Sequence, residues 1–370
     1  MSKKRFIWLY LLVFNLIIIT LLLGVFKVHS DYANTPPNNL IGNKPPIVTR
    51  LQENGLPFSF LVIGDSRAKA TSERLIQLAR KKGEPAFMVM NGDFVWRPGI
   101  WNHRFFLNRM LTEIKPAFPV FLVPGNHEIS DYGNPGDPGM ENTERQVTRQ
   151  FYEGLYGPRN CDFVYNNCLF ILCDGNDRSP ENYLDYLREV LLKKATGKKY
   201  IFVFIHYPPK GLDASIKKAC LPNEQEFFAL MEQYKVSYCF FGHHHGYWKS
   251  ERPTGAPDGR NGTTYIISGG GGTRLEPHIP DKLHHILRIT VGQDKIEEEK
   301  ITSPAQSNLG NWFGETVFTY IFPIIDANGW VLYVILFVLL LDSGMLFFLY
   351  RKASIKPRPD GLVAPDGETK

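Results

Sequence analysis

A layered α/β sandwich carried between two membrane-spanning helices is the fold class this sequence predicts. Three observations predict it. Short apolar runs alternate with helical patterns through the middle of the chain, a long apolar stretch stands near each end, and clusters of polar residues fall directly after the short runs. The 370 residues, 44% hydrophobic and 21% charged, supply enough apolar material for a sizeable core and exclude disordered and fibrous classes.

In chain order, residues 1–5 carry Lys3, Lys4 and Arg5 and are expected in the cytoplasm. Residues 6–26 are uncharged and long enough to cross ~30 Å of hydrocarbon as a helix. Val25-Phe26-Lys27-Val28 offers no small-residue cleavage site, so the segment reads as an anchor rather than a removed signal peptide. Residues 27–55 are rich in Pro, Asn and Gly, lack a hydrophobic period and read as a stalk.

The expected globular domain covers 56–296. Strands are predicted at 58–63, 86–90 and 120–123, with helices at 72–82 and 101–114 between them, which is βαβαβ order. A hairpin over 163–173 turns at Asn166-Asn167, followed by a helix at 180–194, a strand at 200–205, a helix at 223–234 and a strand at 236–241. Short β segments at 263–268 and 286–291 close the domain.

Residues 297–329 are expected to link it to the membrane. Glu297-Glu298-Glu299 reads as solvated, while the aromatic stretch 310–329 suits either the membrane interface or a short buried helix. A second span is expected at 330–350, with Asp342 its single charge, and 351–370 forms a tail carrying Arg351, Lys352, Lys356 and Arg358. Basic residues flank the outer end of each span, so the expectation is a cytoplasmic-membrane protein with both termini inside and the globular domain outside. The net charge of +5 belongs to these ends and gives no nucleic-acid-binding signal. The five cysteines show no paired spacing, so neither a disulfide framework nor a zinc ribbon is indicated.

Function is carried by the polar residues at the strand ends. Gly64-Asp65-Ser66-Arg67 follows the first strand, Gly92-Asp93 the second, Gly125-Asn126-His127-Glu128 the third, His206 the strand at 200–205, and Gly242-His243-His244-His245 the strand at 236–241. In open α/β sheets the loops beyond the carboxyl ends of strands meet in one crevice. Two carboxylates, an amide and three imidazoles make a mixed oxygen and nitrogen donor set suited to Mn, Fe or Zn. One shared carboxylate would let them hold two ions, and such a pair suits hydrolysis of a phosphate ester by metal-activated water.

These five motifs, in this order across about Phe58 to Thr290, resemble those of the calcineurin-like metallophosphoesterases. The resemblance implies an α/β/β/α sandwich of the metallophosphoesterase type. It implies that Asp65, Asp93 and His245 hold a first di- or trivalent ion and that Asp93, Asn126, His206 and His243 hold a second. It further implies that His127 protonates the leaving group, with Glu128 orienting it by a hydrogen bond. His244 is expected to point away as a non-ligand, and His103, His278, His284 and His285 to be surface or packing residues.

The first motif departs from the family's Asp-x-His, because Arg67 stands where the histidine would and cannot ligate a cation. Its fork of donors suits a substrate phosphate instead. Trp96 replaces the tyrosine ligand of the purple acid phosphatases. The expected activity is hydrolysis of a phosphate mono- or diester, and anchoring at both ends makes an envelope- or lipid-linked ester attractive. The alternative is a non-catalytic or weakly metallated binding protein of the same fold.

Overall fold

The computed structural model describes residues 3–34, 38–132, 145–176, 180–212, 220–251 and 262–352. Residues 1–2 and 353–370 of the expected tails, and 35–37 of the expected stalk, lie outside the described residues. The chain divides into a unit of residues 35–327 and a unit formed by 1–34 with 328–370. Helix α1 (Lys3–Asp31) contains the expected first span.

In the larger unit, helix α2 (Pro45–Val48) precedes β1 (Phe58–Ile63), α3 (Ala70–Arg80), β2 (Phe87–Asn91), α4 (Ile100–Arg109) and β3 (Val120–Val123). Then come α5 (Arg149–Tyr156), β4 (Cys161–Tyr165), β5 (Cys168–Cys173), α6 (Pro180–Lys194), β6 (Ile201–Ile205), α7 (Glu224–Gln233) and β7 (Tyr238–Phe241). The unit continues with β8 (Tyr247–Glu251), β9 (Thr264–Ser268), β10 (His284–Val291), β11 (Ile296–Ser303) and α8 (Leu309–Thr316). One sheet has the order β11-β10-β1-β2-β3 and the other β4-β5-β6-β7-β9-β8.

The two-residue period of the strands builds the layers. Phe60, Val62, Phe87, Val89 and Phe121 of the first sheet face Phe170, Phe202, Phe204 and Phe240 of the second in one buried cluster. Their rings interlock, Phe60 meeting Phe202 edge-on at 5.2 Å between centroids. The alternate residues Ile171, Ile201, Val203 and Ile205 turn the other way onto Leu187 and Leu191 of α6 and Phe227 and Met231 of α7. Helix α3 covers the first sheet over β10 and β11. The result is the four-layered α/β/β/α sandwich expected. Strands β1, β2 and β3 are parallel, as are β5, β6, β7 and β9, so within each sheet the carboxyl ends share one edge.

Two boundaries differ from the sequence reading. The second half of the expected stalk is part of the folded unit: Ile41 and Ile47 are buried, and the Asn43 side chain exchanges hydrogen bonds with the Leu122 backbone at 2.7 and 3.0 Å. Nor does the domain end at 296, because β11 pairs antiparallel with β10 and sets Glu299 opposite Arg288. A charged edge strand is soluble on one face and shields the sheet edge, which is why three glutamates read as a solvated linker.

The segment after β11 also packs. Asn311 donates to the Ala68 carbonyl at 3.0 Å, Lys69 pairs with Glu315, and Trp101 donates to Asp326 at 2.6 Å. Its other face leaves Leu309, Trp312, Phe313 and Ile324 exposed. Helix α9 (Phe322–Lys352) breaks its helical dihedrals at Asn328 and then carries the second apolar stretch. Within the smaller unit, Arg5 lies 5.4 Å from the Tyr350 ring centre, Asn15 donates to Asp342 at 2.5 Å, and Phe26 stacks on Tyr333 at 4.9 Å. These pairs run antiparallel, so the two apolar stretches form a hairpin-like pair with Asp342 facing protein.

Candidate metal centre

Each motif begins where its strand ends. Asp65, Asp93 and His243 adopt left-handed backbone, with φ of 56°, 52° and 66°. Such non-glycine conformations cost about 1–3 kcal/mol each and turn the chain sharply, so that the next groups face the crevice. Gly92 has no alternative residue: its φ is +84°, and a Cβ there would stand 2.1 Å from His206 Nδ1.

Backbone carbonyls fix the tautomers of His206 and His245. His206 Nδ1 donates to the Asn91 carbonyl at 3.0 Å, so its Nε2 presents a lone pair. That lone pair faces Asn126 Oδ1 at 3.2 Å and Asp93 Oδ1 at 3.3 Å. His243 Nδ1 approaches the same Asn126 oxygen at 3.1 Å. On the other side, His245 Nδ1 donates to the Arg274 carbonyl at 2.9 Å and its Nε2 faces Asp65 Oδ1 at 3.4 Å. Among the described residues Asp65 Oδ1 is buried without a hydrogen-bond partner, while Oδ2 accepts from the His243 amide at 3.0 Å.

Lone pairs directed at one another in such a site repel unless a proton or a metal cation lies between them. Ligand atoms of Asp65, Asp93 and His245 fall within 4.8 Å of one another, a grouping that could hold a metal ion. Asp93 therefore belongs to both sets. Burial alone would raise its carboxyl, but His127, His206, Arg67 and His243 together hold it well below the usual carboxylate range. The residues present thus fit two cations with Asp93 shared.

Arg67 and His127 are joined. His127 Nδ1 donates to the Trp96 carbonyl at 2.7 Å, and Arg67 Nη2 donates to His127 Nε2 at 2.9 Å. The guanidinium also approaches Asp93 Oδ2 at 3.5 Å and lies over the Trp96 ring at 4.6 Å. Burial pushes the His127 imidazole below its usual range, Asp93 raises it, and Arg67 lowers it again. The neutral ring that results is the form able to accept from Arg67.

Glu128 does not orient His127. It is fully buried and accepts from the amides of Asp93 at 3.0 Å, Val95 at 3.1 Å and Gly125 at 2.6 Å. Burial and the neighbouring Asp93 charge push its carboxyl well above the usual range, against those three donors. Its work is to tie the loop after β2 to the loop after β3, and the orientation of His127 falls to Trp96. Three functional groups, the carbonyls of Asn91, Trp96 and Arg274, had no side-chain signal by which to be found. His103 is buried, bonded to Tyr156 at 2.9 Å and to the Glu128 carbonyl at 3.0 Å, and belongs to the packing beneath the site.

Residues 58–247 match the profile of the calcineurin-like phosphoesterase family. The chain belongs to that family. A purple acid phosphatase from yellow lupin (Lupinus luteus) seeds superposes with a TM-score of 0.51 at 16% identity, over 69% of this chain and 53% of that one. The likeness is one of fold, and this chain spans about half the length of that relative. A dimetal phosphatase from Danio rerio matches with a TM-score of 0.43 at 15% identity, over 67% of this chain and 99% of that one. No curated protein matches the sequence. Within the calcineurin-like phosphoesterases the departure at the first motif acquires a structural meaning. Arg67 fills the corner beside Asp93, and it contributes donors where the family's histidine would contribute a lone pair.

Proposed function

We propose that this calcineurin-like phosphoesterase is a membrane-anchored, two-metal enzyme that hydrolyses a phosphate mono- or diester outside the cytoplasm. One observation carries the reading. The Nε2 lone pairs of buried His206 and half-buried His245, with their ring protons committed to carbonyls, face the oxygens of Asp93, Asn126 and Asp65 at 3.2–3.4 Å. Asp65, Asp93 and His245 would hold one ion, and Asp93, Asn126, His206 and His243 the other. When bound, the ions supply an acidified water and a clamp on the phosphate oxygens.

The chain's own groups do the rest. An incoming phosphate draws the Arg67 guanidinium off His127, since two parallel bonds to anionic oxygens exceed one to a neutral nitrogen. The released Nε2 then faces the ester with the ring still locked on Trp96; it takes up a proton from water, and the imidazolium so formed passes that proton to the leaving oxygen. Trp96 keeps the guanidinium planar against its face throughout. An envelope- or lipid-linked ester is the substrate class we favour: Asn311 and Glu315 join the loop of Ala68 and Lys69, beside Arg67, to a segment whose outer face exposes Leu309, Trp312 and Phe313.

The test is elemental analysis of the purified full-length chain together with hydrolysis of aryl phosphate mono- and diesters. Turnover that chelation abolishes and Mn, Fe or Zn restores is expected. A second reading, a binding protein of the same fold, is favoured by the capping of His127 by Arg67. It prevails if two ions bind and neither ester is cleaved.

A further inference from the structure

Away from the shared Asp93, a second group of ligand atoms converges on the opposite side of the 242–245 loop. His244 Nδ1 lies 3.2 Å from Glu276 Oε2, His278 Nε2 lies 3.0 Å from the same oxygen, and the two nitrogens are 3.3 Å apart. Each atom is thus within 3.3 Å of both others. A tetrahedral ion with bonds of ~2.0–2.1 Å sets its ligand atoms ~3.3 Å apart, close to the spacing seen for this triangle. We propose that His244, Glu276 and His278 form a third cation site, for a zinc-like divalent ion, distinct from the phosphoesterase centre.

Two imidazoles and one carboxylate oxygen exclude Ca²⁺ and Mg²⁺, which take all-oxygen shells, and suit Zn²⁺. The site is built rather than incidental. His244 is 2% exposed, and among the described residues its far nitrogen, Nε2, has no hydrogen-bond partner, so its ring hydrogen-bonds only within the cluster. The Glu276 amide donates to the His245 carbonyl at 2.9 Å, which fixes the carboxylate beside the loop. Ile279, buried at 1% exposure, anchors the other end of the same segment. His278 is exposed at the rim and leaves the fourth position to water. An ion here clamps the loop of Glu276 and His278 to the loop that carries His243 and His245, and so steadies both without touching substrate. The competing arrangement is two imidazoles donating to one carboxylate, with no ion.

This site is independent of whether two ions occupy the phosphoesterase centre, and metal content distinguishes the two. The full-length chain is purified in detergent, stripped of metal, reloaded with Zn²⁺, and its metal content per chain measured beside His278→Ala, Glu276→Gln and Asp93→Asn. His278→Ala and Glu276→Gln are each expected to hold one ion fewer than the parent, whatever the parent's total. Asp93→Asn is expected to retain one ion, and reloading that variant with Co²⁺ should give the intense visible absorption of four-coordinate cobalt. Should His278→Ala fold poorly, the cobalt spectrum of Asp93→Asn decides alone. Unchanged Zn²⁺ content in the two loop variants, or an Asp93→Asn chain lacking the four-coordinate band, overturns the site.

Discussion

The Arg67 guanidinium donates to Nε2 of His127 at 2.9 Å, closing the ring nitrogen proposed above to serve the leaving group. Arg67 is held for this by the Trp96 face on one side and Asp93 on the other. Arg67→Ala is expected to lower kcat/KM by about 10- to 100-fold, the loss of a charge-assisted phosphate contact, at unchanged metal content. Arg67→Lys should rescue only part, because a point charge cannot reproduce the fork. Steady-state kinetics with an aryl phosphate, paired with metal analysis, checks both. Full activity in Arg67→Ala would assign the arginine to space-filling.

Asp93 and His127 should separate metal binding from proton transfer. Asp93 stands in both ligand groups of the phosphoesterase centre, so Asp93→Asn is expected to remove the ions of that centre and activity together. His127 touches Asp93 but has its ring held by Trp96, so His127→Ala should keep its metal and lose ~100-fold or more in turnover. Equal metal loss in the two variants would refute the division of roles.

The reach of the sequence is instructive at particular positions. Asp65, Asp93, Asn126, His206, His243 and His245 were legible because strand-end placement and side-chain type together encode ligand chemistry, and the structure brings all six into one crevice. The bonds of Glu128 were not legible, because its partners are backbone amides that every residue carries. Strand β11 was hidden by its own glutamates, whose charges suit an edge facing water. Ile41 and Ile47 looked like stalk because their burial is set by distant packing, with no local period to announce it. His244, Glu276 and His278 have no motif spacing, and only the fold places them together.

Stability should weaken as pH falls through the range between two histidine values. Burial pushes His103 and His285 from 6.5 down to about 4, partly opposed by hydrogen bonds to the Glu128 and Leu283 carbonyls. Both stay neutral in the folded chain while the unfolded chain takes up protons near 6.5. The unfolded state therefore binds more protons between pH 6.5 and 4, and stability falls as pH is lowered through that window. Thermal unfolding of the detergent-solubilised chain is expected to show this slope, and His103→Gln, which keeps a donor and an acceptor but cannot titrate, should flatten part of it. An unaltered slope in that variant would mean that other groups carry the acid sensitivity.

Asn15 and Asp342 provide the last test, in the smaller unit. In the proposed membrane-spanning pair the acidic Asp342 needs a partner, and Asn15 supplies one at 2.5 Å between two apolar stretches. Interhelical hydrogen bonds of this kind contribute ~0.6–2 kcal/mol, enough to bias pairing without being its sole cause. Phe26 and Tyr333, stacked at 4.9 Å, offer a reporter, because cysteines at those positions should cross-link in membranes. Asn15→Leu leaves Asp342 unpaired and is expected to lower the cross-linking yield. Adding Asp342→Leu removes the orphaned carboxyl and should recover most of it, since two matched apolar helices pair better than one apolar helix with one charged helix. If Asn15→Leu alone leaves the yield unchanged, the polar pair does not hold these helices together and the aromatic contacts suffice.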